Sequence, residues 1–215
     1  DSGFNYVIFL DDTFTVYPRW VERYCQMHEV EFGTPFSLHA RVETVSPEML
    51  QRLAKAGCRH IVYGVESGSE RVRRDILHRP VTNQRMIDAF AMTRDAGIMV
   101  TANYMLGIPG ETRADMQQTL ALHEQLQPFD FGYFVFYPYM GTQLFHVCEQ
   151  AGYLPADYLE LPALHRESIL NLPGLTQADI GEFYDRWTEV RAAQTLARSG
   201  DASVAVRQQI RDDII

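Results

Sequence analysis

The chain has 215 residues, 46% hydrophobic and 22% charged, with 14 Gly and 10 Pro, proportions that exclude disordered, collagenous and low-complexity classes and suit one domain, with or without a helical tail. Its 19 Lys and Arg against 28 Asp and Glu leave a net charge of −9; this argues against a nucleic-acid-binding face, and no apolar run approaches the ~18 residues of a membrane span. Cys25, Cys58 and Cys148 form no C-x-x-C pair, so neither a zinc ribbon nor a disulfide framework is encoded and a reducing, cytoplasmic setting is expected.

Tyr6–Leu10 is a short continuous apolar run, the pattern of a strand buried on both faces. Because it follows so closely on Asp1, the chain reads as starting inside a domain, and a missing upstream segment is expected. Pro18 to His28 carries Trp20, Val21, Tyr24 and Cys25 at helical spacing. Phe36–Val42 reads as a second strand. Ser46 and Pro47 then open a helix that Gly57 can end. His60–Val65 is a third strand. Thr82 caps the next helix, with Met86, Ile87 and Phe90 along its apolar face. Met99–Leu106 is a fourth strand, and Thr112 with Asp115 starts another helix in a capping-box arrangement. Phe131–Tyr137 is an aromatic-rich fifth strand.

Strand–helix alternation through five units predicts an α/β fold with parallel strands. Five units make an open sheet or an incomplete barrel, since a closed eight-unit barrel typically needs ~250 residues. The pattern changes near residue 145, which divides the chain into a β/α core over 1–145 and a tail over 146–215. In that tail, Pro155, Pro162 and Pro173 interrupt a connector, Thr176 caps a long helix, and 201–215 is a terminal helix or frayed tail.

Ligands of parallel α/β folds bind at the carboxyl ends of the strands. Here those ends gather polar residues and glycines: Asp11 and Asp12, then Arg41 and Glu43, then Glu66 and Ser67, then Gly107-Ile108-Pro109-Gly110-Glu111, then Tyr137. One ligand-binding rim is predicted. Asp11 and Asp12 can cap the following helix, hold a divalent metal or grip an ammonium group. Arg41 and Glu43, read as sharing a strand face, can pair with each other, or Arg41 can fork a ligand carboxylate. Glu66 can accept hydrogen bonds from a ribose diol or brace its loop. The Gly107–Glu111 turn can bring free N–H groups to a ring nitrogen or be a plain tight turn; no Gly-Lys-Ser/Thr follows, so it is not a Walker loop. Tyr133, Phe134, Phe136, Tyr137 and Tyr139 suit a core, with one or two able to cover a flat ring. Cys25 with His28 reads as structural, His39 as a packed core histidine, and Ser67 and Ser69 lack a His–Asp relay.

Taken in order, Ile8-Phe-Leu-Asp-Asp-Thr-Phe14, Leu38-His-Ala-Arg-Val-Glu43, Tyr63-Gly-Val-Glu-Ser-Gly-Ser69, Met105-Leu-Gly-Ile-Pro-Gly-Glu-Thr112 and Tyr137-Pro-Tyr-Met-Gly-Thr142 resemble the radical SAM superfamily, in the branch often fused to a cobalamin-binding domain. The resemblance covers residues 4–145. It implies an incomplete parallel (β/α)6 barrel of about five units with a C-terminal helical tail. It implies S-adenosylmethionine as cofactor, its amino group at Asp11 and Asp12, its carboxylate at Arg41 beside Glu43, its ribose at Glu66 and Ser67, and its adenine at Gly107–Glu111 and Tyr137. It also implies a [4Fe–4S] cluster, a 5′-deoxyadenosyl radical, a small-molecule substrate and an electron donor such as flavodoxin or ferredoxin; the branch makes cobalamin a further candidate. The family's C-x3-C-x2-C cluster motif is absent from this sequence, so an upstream cluster-binding segment is expected and the chain alone should be inactive. A cluster-less nucleoside-binding module or scaffold, and a divalent-metal hydrolase or lyase using Asp11 and Asp12, remain the alternatives.

Overall fold

A computed structural model describes residues 5–201. Five parallel strands, β1 (Val7–Ile8), β2 (Phe36–Ala40), β3 (Cys58–Glu66), β4 (Met99–Leu106) and β5 (Asp130–Val135), lie side by side in chain order. Each new strand is added on the same side of the last. Crossovers of one hand then place the connecting helices on one face, and the sheet curls into a half-barrel.

The helices are α1 (Pro18–Glu31), α2 (Pro47–Lys55), α3 (Asn83–Asp95), α4 (Arg113–Leu126), α5 (Gln143–Gln150) and α6 (Gln177–Asp201). Their starts follow the caps read from sequence. Ser46 Oγ accepts from Met49 N, and Thr82 Oγ1 accepts from Arg85 N. Thr112 and Asp115 close a full capping box, and Thr176 and Asp179 repeat it at α6. The helices bury the outward-facing residues of the sheet, among them Leu38, Ile61, Tyr63, Val65, Val100, Ala102 and Tyr104, all fully buried in one core. Such a side chain contributes roughly 1.5–3 kcal/mol. From α6, Trp187 stands 4.6 Å from the Tyr104 ring and 5.1 Å from His123, which accepts or donates a 3.0 Å bond with the Tyr104 hydroxyl. Burial, with Arg191 nearby, pulls His123 down to about 4.

Several expectations change. The Tyr6–Leu10 run contributes only Val7 and Ile8 to the ladder, and Ile8 and Leu10 are 63% and 76% exposed. The exposed Ile8 and Leu10 show that β1 is not buried on both faces, and among the described residues it has a strand neighbour on one side only. The second strand stops at Ala40, because Thr44 N and Oγ1 both turn back to the Arg41 carbonyl and close a 3-10 turn over Val42–Thr44. Arg41 and Glu43 therefore do not share a strand face. The division expected after residue 145 falls inside α5, which was not foreseen. Its Cys148, with Leu144 against it, joins Val72, Ile108, Phe136 and Leu170 in a second cluster over the strand ends. Of the tail expected over 201–215, Asp201 ends α6 and residues 202–215 lie outside the described residues.

Candidate functional site

A cavity of about 700 Å³ opens where the concave face of the half-barrel meets the carboxyl ends of β2 to β5. Of the predicted residues, Asp12, Glu66 and Tyr137 line it; His39, Asn103, Phe134 and His165 line it too. The Asp11 and Asp12 carboxylates make no hydrogen bond or ion pair among the described residues, and both side chains are exposed.

Glu66 is the most distorted of the predicted positions. The β3–β4 register slips between Gly64 and Glu66, and Glu66 takes φ +67°, a left-handed conformation rare outside glycine. The bulge turns its carboxylate toward Gly64, where a Cβ would collide with Oε1. Burial raises the Glu66 pKa, and Arg79 opposes the rise. Arg79 itself was not foreseen. Its Nη1 donates to the Gly64 carbonyl at 2.6 Å, while Nη2 and Nε reach Glu43 at 3.0 and 3.2 Å. Glu43 also receives Arg41 Nη2 at 2.8 Å. Burial works to raise the Glu43 pKa, but the bonds from Arg79 and Arg41 outweigh it and hold the group at about 2. Arg41 and Glu43 are thus paired, and Arg79 ties that pair to the Glu66 bulge.

Ser67 does not share the cavity with Glu66. It is fully buried, its Oγ accepts from Ser69 N and lies 3.4 Å from Thr119 on α4, and its carbonyl receives the buried Arg73. The Gly107–Glu111 turn also differs from expectation. Gly107 and Gly110 adopt φ +73° and +85° as the turn needs, but the N–H groups of Gly107 and Ile108 donate to Glu111 Oε2 at 2.8 and 3.2 Å. Those two donors are consumed by the turn itself. Pro109 has no N–H, and no residue of 107–111 lines the cavity. Burial raises Glu111 to about 8 against those same bonds. Ser69 Oγ and Arg71 bind Asp115, which stays near 2 because Arg71 leads the bonds that overcome its burial.

The aromatic wall comes from the segments that follow β5 and α5. Tyr137 stacks on Tyr158 at 5.8 Å, and Tyr139 Oη lies 2.7 Å from His165 Nε2. His165, at φ +53°, accepts from Val135 N through its carbonyl at 2.9 Å. This pins the segment along the open edge of β5. His39, expected in the core, is half-buried on the concave face, and its imidazole makes no hydrogen bond among the described residues. His28 is structural, held between the Tyr24 hydroxyl and the Thr34 carbonyl. Cys25, Cys58 and Cys148 are free and buried; burial raises them to about 11, 12 and 11. Among the described residues no group of three or more His, Cys, Asp or Glu converges to hold a metal ion, and no helix is long and apolar enough to cross a membrane.

The model of the radical SAM superfamily matches residues 1–123. An uncharacterized methyltransferase of Pyrococcus horikoshii is 27% identical over 146 residues, 67% of this chain and 31% of that protein. The chain spans about a third or less of the first curated relatives it matches. Among solved structures, coproporphyrinogen III oxidase (HemN) from Escherichia coli, a radical SAM enzyme, aligns over 82% of this chain and 38% of its own with a TM-score of 0.60 and 17% identity. The cobalamin-dependent S-adenosylmethionine radical enzyme OxsB, with aqua-cobalamin and S-adenosylmethionine bound, aligns over 86% and 28% with a TM-score of 0.52 and 16% identity. These two likenesses establish the fold, an incomplete barrel of this type.

Proposed function

The chain belongs to the radical SAM superfamily, and on that premise we propose that it forms the S-adenosylmethionine-binding part of a larger radical enzyme. One observation carries the reading: the cavity at the strand ends is lined by two carboxylates, Asp12 and Glu66, and by no Lys or Arg. A cationic sulfonium and ammonium suit such a lining, because unpaired carboxylates in a partly desolvated pocket attract positive charge strongly.

In this reading Asp12, with Asp11 beside it, takes the ammonium group. Glu66 accepts from the ribose diol, and Tyr137 flanks the adenine. The Gly107–Glu111 turn, outside the cavity lining, fixes the end of β4 rather than offering its first two N–H groups, and Ser67 contributes by fixing the loop that carries Glu66. Arg41, paired with Glu43, takes the ligand carboxylate from the rim, outside the cavity lining, while Arg79 bonds Glu43 and offsets the charge of Glu66. The cofactor supplies the radical chemistry, and these residues bind, orient and exclude water.

The cysteines of this chain do not fit a [4Fe–4S] cluster. Cluster ligands are thiolates, whereas Cys25, Cys58 and Cys148 are separately buried with raised pKa values. We therefore place the cluster ligands on an upstream segment outside residues 1–215, with a ferredoxin- or flavodoxin-type donor for its electron. Cobalamin use is proposed from the likeness to cobalamin-dependent enzymes, and a small-molecule substrate from the size of the cavity. The test is equilibrium dialysis of S-adenosylmethionine against the full-length protein. Glu66→Gln should weaken binding by about tenfold or more, a loss of ~1.4 kcal/mol or more, with iron content unchanged. Unaltered affinity removes the ribose role, and a wild-type protein that does not bind the cofactor refutes the reading.

A further inference from the structure

On its β4–β5 side the cavity is lined by residues that the cofactor reading above does not use, Asn103, Met105 and Phe134 among them. Across β3, β4 and β5, Gly64, Asn103 and Gly132 are register partners and form one row on the concave face. At Gly132 a Cβ would stand 2.6 Å from Asn103 Oδ1 and 2.8 Å from the Phe134 ring, so the glycine keeps open the space between them. Asn103 is half-buried in the middle of a strand and lines the cavity, and its side-chain amide has no hydrogen-bond partner among the described residues. Its amide is not sealed from solvent and opens onto the cavity, so both its donor and its acceptor are available to a ligand. One layer toward the strand ends, Phe134 faces the same space and is 45% exposed, with the His165 ring at 87° to it.

We propose that this half of the cavity is a substrate subsite for an uncharged planar ring bearing a carboxamide or lactam edge. Asn103 presents an acceptor and a donor side by side, which pair with the donor and acceptor of such an edge. Phe134 offers the ring an aromatic face. A phosphorylated or carboxylated ring is disfavoured here, because no Lys or Arg lines the cavity and two carboxylates do. The inference rests on the S-adenosylmethionine reading, which takes Asp12, Glu66 and Tyr137 and leaves this half for the substrate.

The experiment uses full-length protein loaded with S-adenosylmethionine, and measures nicotinamide and nicotinate binding by ligand-observed NMR titration. Nicotinamide should bind at least about tenfold more tightly than nicotinate, which has the same ring with an anionic edge. Asn103→Leu should weaken nicotinamide at least about tenfold while cofactor affinity stays unchanged. Should Asn103→Leu fail to fold, Phe134→Ala carries the same expectation. Equal binding of the two probes overturns the proposal, as does nicotinamide affinity that neither variant lowers. Parallel loss of nicotinamide and S-adenosylmethionine in Asn103→Leu also overturns it, by assigning the amide to the cofactor. Wild-type protein that takes nicotinamide but not S-adenosylmethionine supports the subsite and defeats the cofactor reading instead.

Discussion

On the convex side of the sheet, Ile61, Tyr63 and Val65 of β3 and Val100, Ala102 and Tyr104 of β4 are sealed beneath helices. One residue along, on the concave side, Val62, Gly64 and Glu66 of β3 and Asn103 and Met105 of β4 are only half-buried and line a cavity. Parallel sheets normally have both faces covered, so the open face is the exception that needs a reason. The two-residue period of a strand lets one segment serve stability with one set of alternate positions and binding with the other. Substitutions on the two faces should therefore separate into those that unfold the protein and those that leave it folded but empty.

The largest effect is expected on the sealed side. Trp187 is fully buried and packs against Tyr104, His123, Phe131 and Tyr133. Truncation there removes transfer energy and leaves a cavity that rigid neighbours cannot fill. Trp187→Ala should lose about 3–5 kcal/mol, lowering the thermal midpoint of the full-length protein by roughly 10 °C. A midpoint within ~2 °C of wild type would mean that α6 is not part of the core.

The two sides also respond to pH with opposite sign. Glu111, under the strand-end turn, keeps its proton in the folded state up to about 8, against an ordinary value of 4.5, because burial penalises its charge. In the window between those values the folded state binds the extra proton, so this contribution is complete at lower pH and is lost as pH rises through about 8. Glu43, at the open rim, is lowered to about 2; burial opposes the shift and the Arg79 and Arg41 bonds dominate. Its contribution is present above 4.5 and is lost as pH falls through about 2. Glu111→Gln should flatten the decline of the thermal midpoint between pH 4.5 and about 8, and Glu43→Gln the acid decline. A decline over that window identical in Glu111→Gln would show that another group controls it.

What could be read from the sequence follows from how local each cause is. Caps act within three residues, so Ser46, Thr82, Thr112 and Thr176 marked their helices correctly. β4 was read to its ends because Met99–Leu106 carries a strong strand pattern between Gly97 and Gly107. α5 was not foreseen, since eight residues give little periodicity even with Thr142 as a cap. Arg79 was illegible because its partner Glu43 lies 36 residues away. The contact exists only once β2 and β3 are side by side. The committed N–H groups of Gly107 and Ile108 were hidden for a different reason: the motif shows a glycine turn, but not that Glu111 folds back to occupy it. Asn103 was the missed opportunity. Thr101, Asn103 and Met105 alternate with Val100, Ala102 and Tyr104, so the polar inner face was present in the period-2 pattern.

The smallest effect on stability should come from the largest side chain on the open face. Phe134 lies in β5, three residues from Phe131 in the same strand, yet Phe131 is 2% exposed and Phe134 45%. Because the exposed part of the ring is already hydrated in the folded state, truncating it removes little burial, and Phe134→Ala should shift unfolding by only about 1 kcal/mol or less. Phe131→Ala should lose about 3–5 kcal/mol. Thermal unfolding of both variants in the same full-length background measures the contrast directly. If the two losses are equal, the concave face is covered in the full-length protein by something that seals Phe134 as thoroughly as the helices seal Phe131. The separation of stability and binding between faces would then fail at β5.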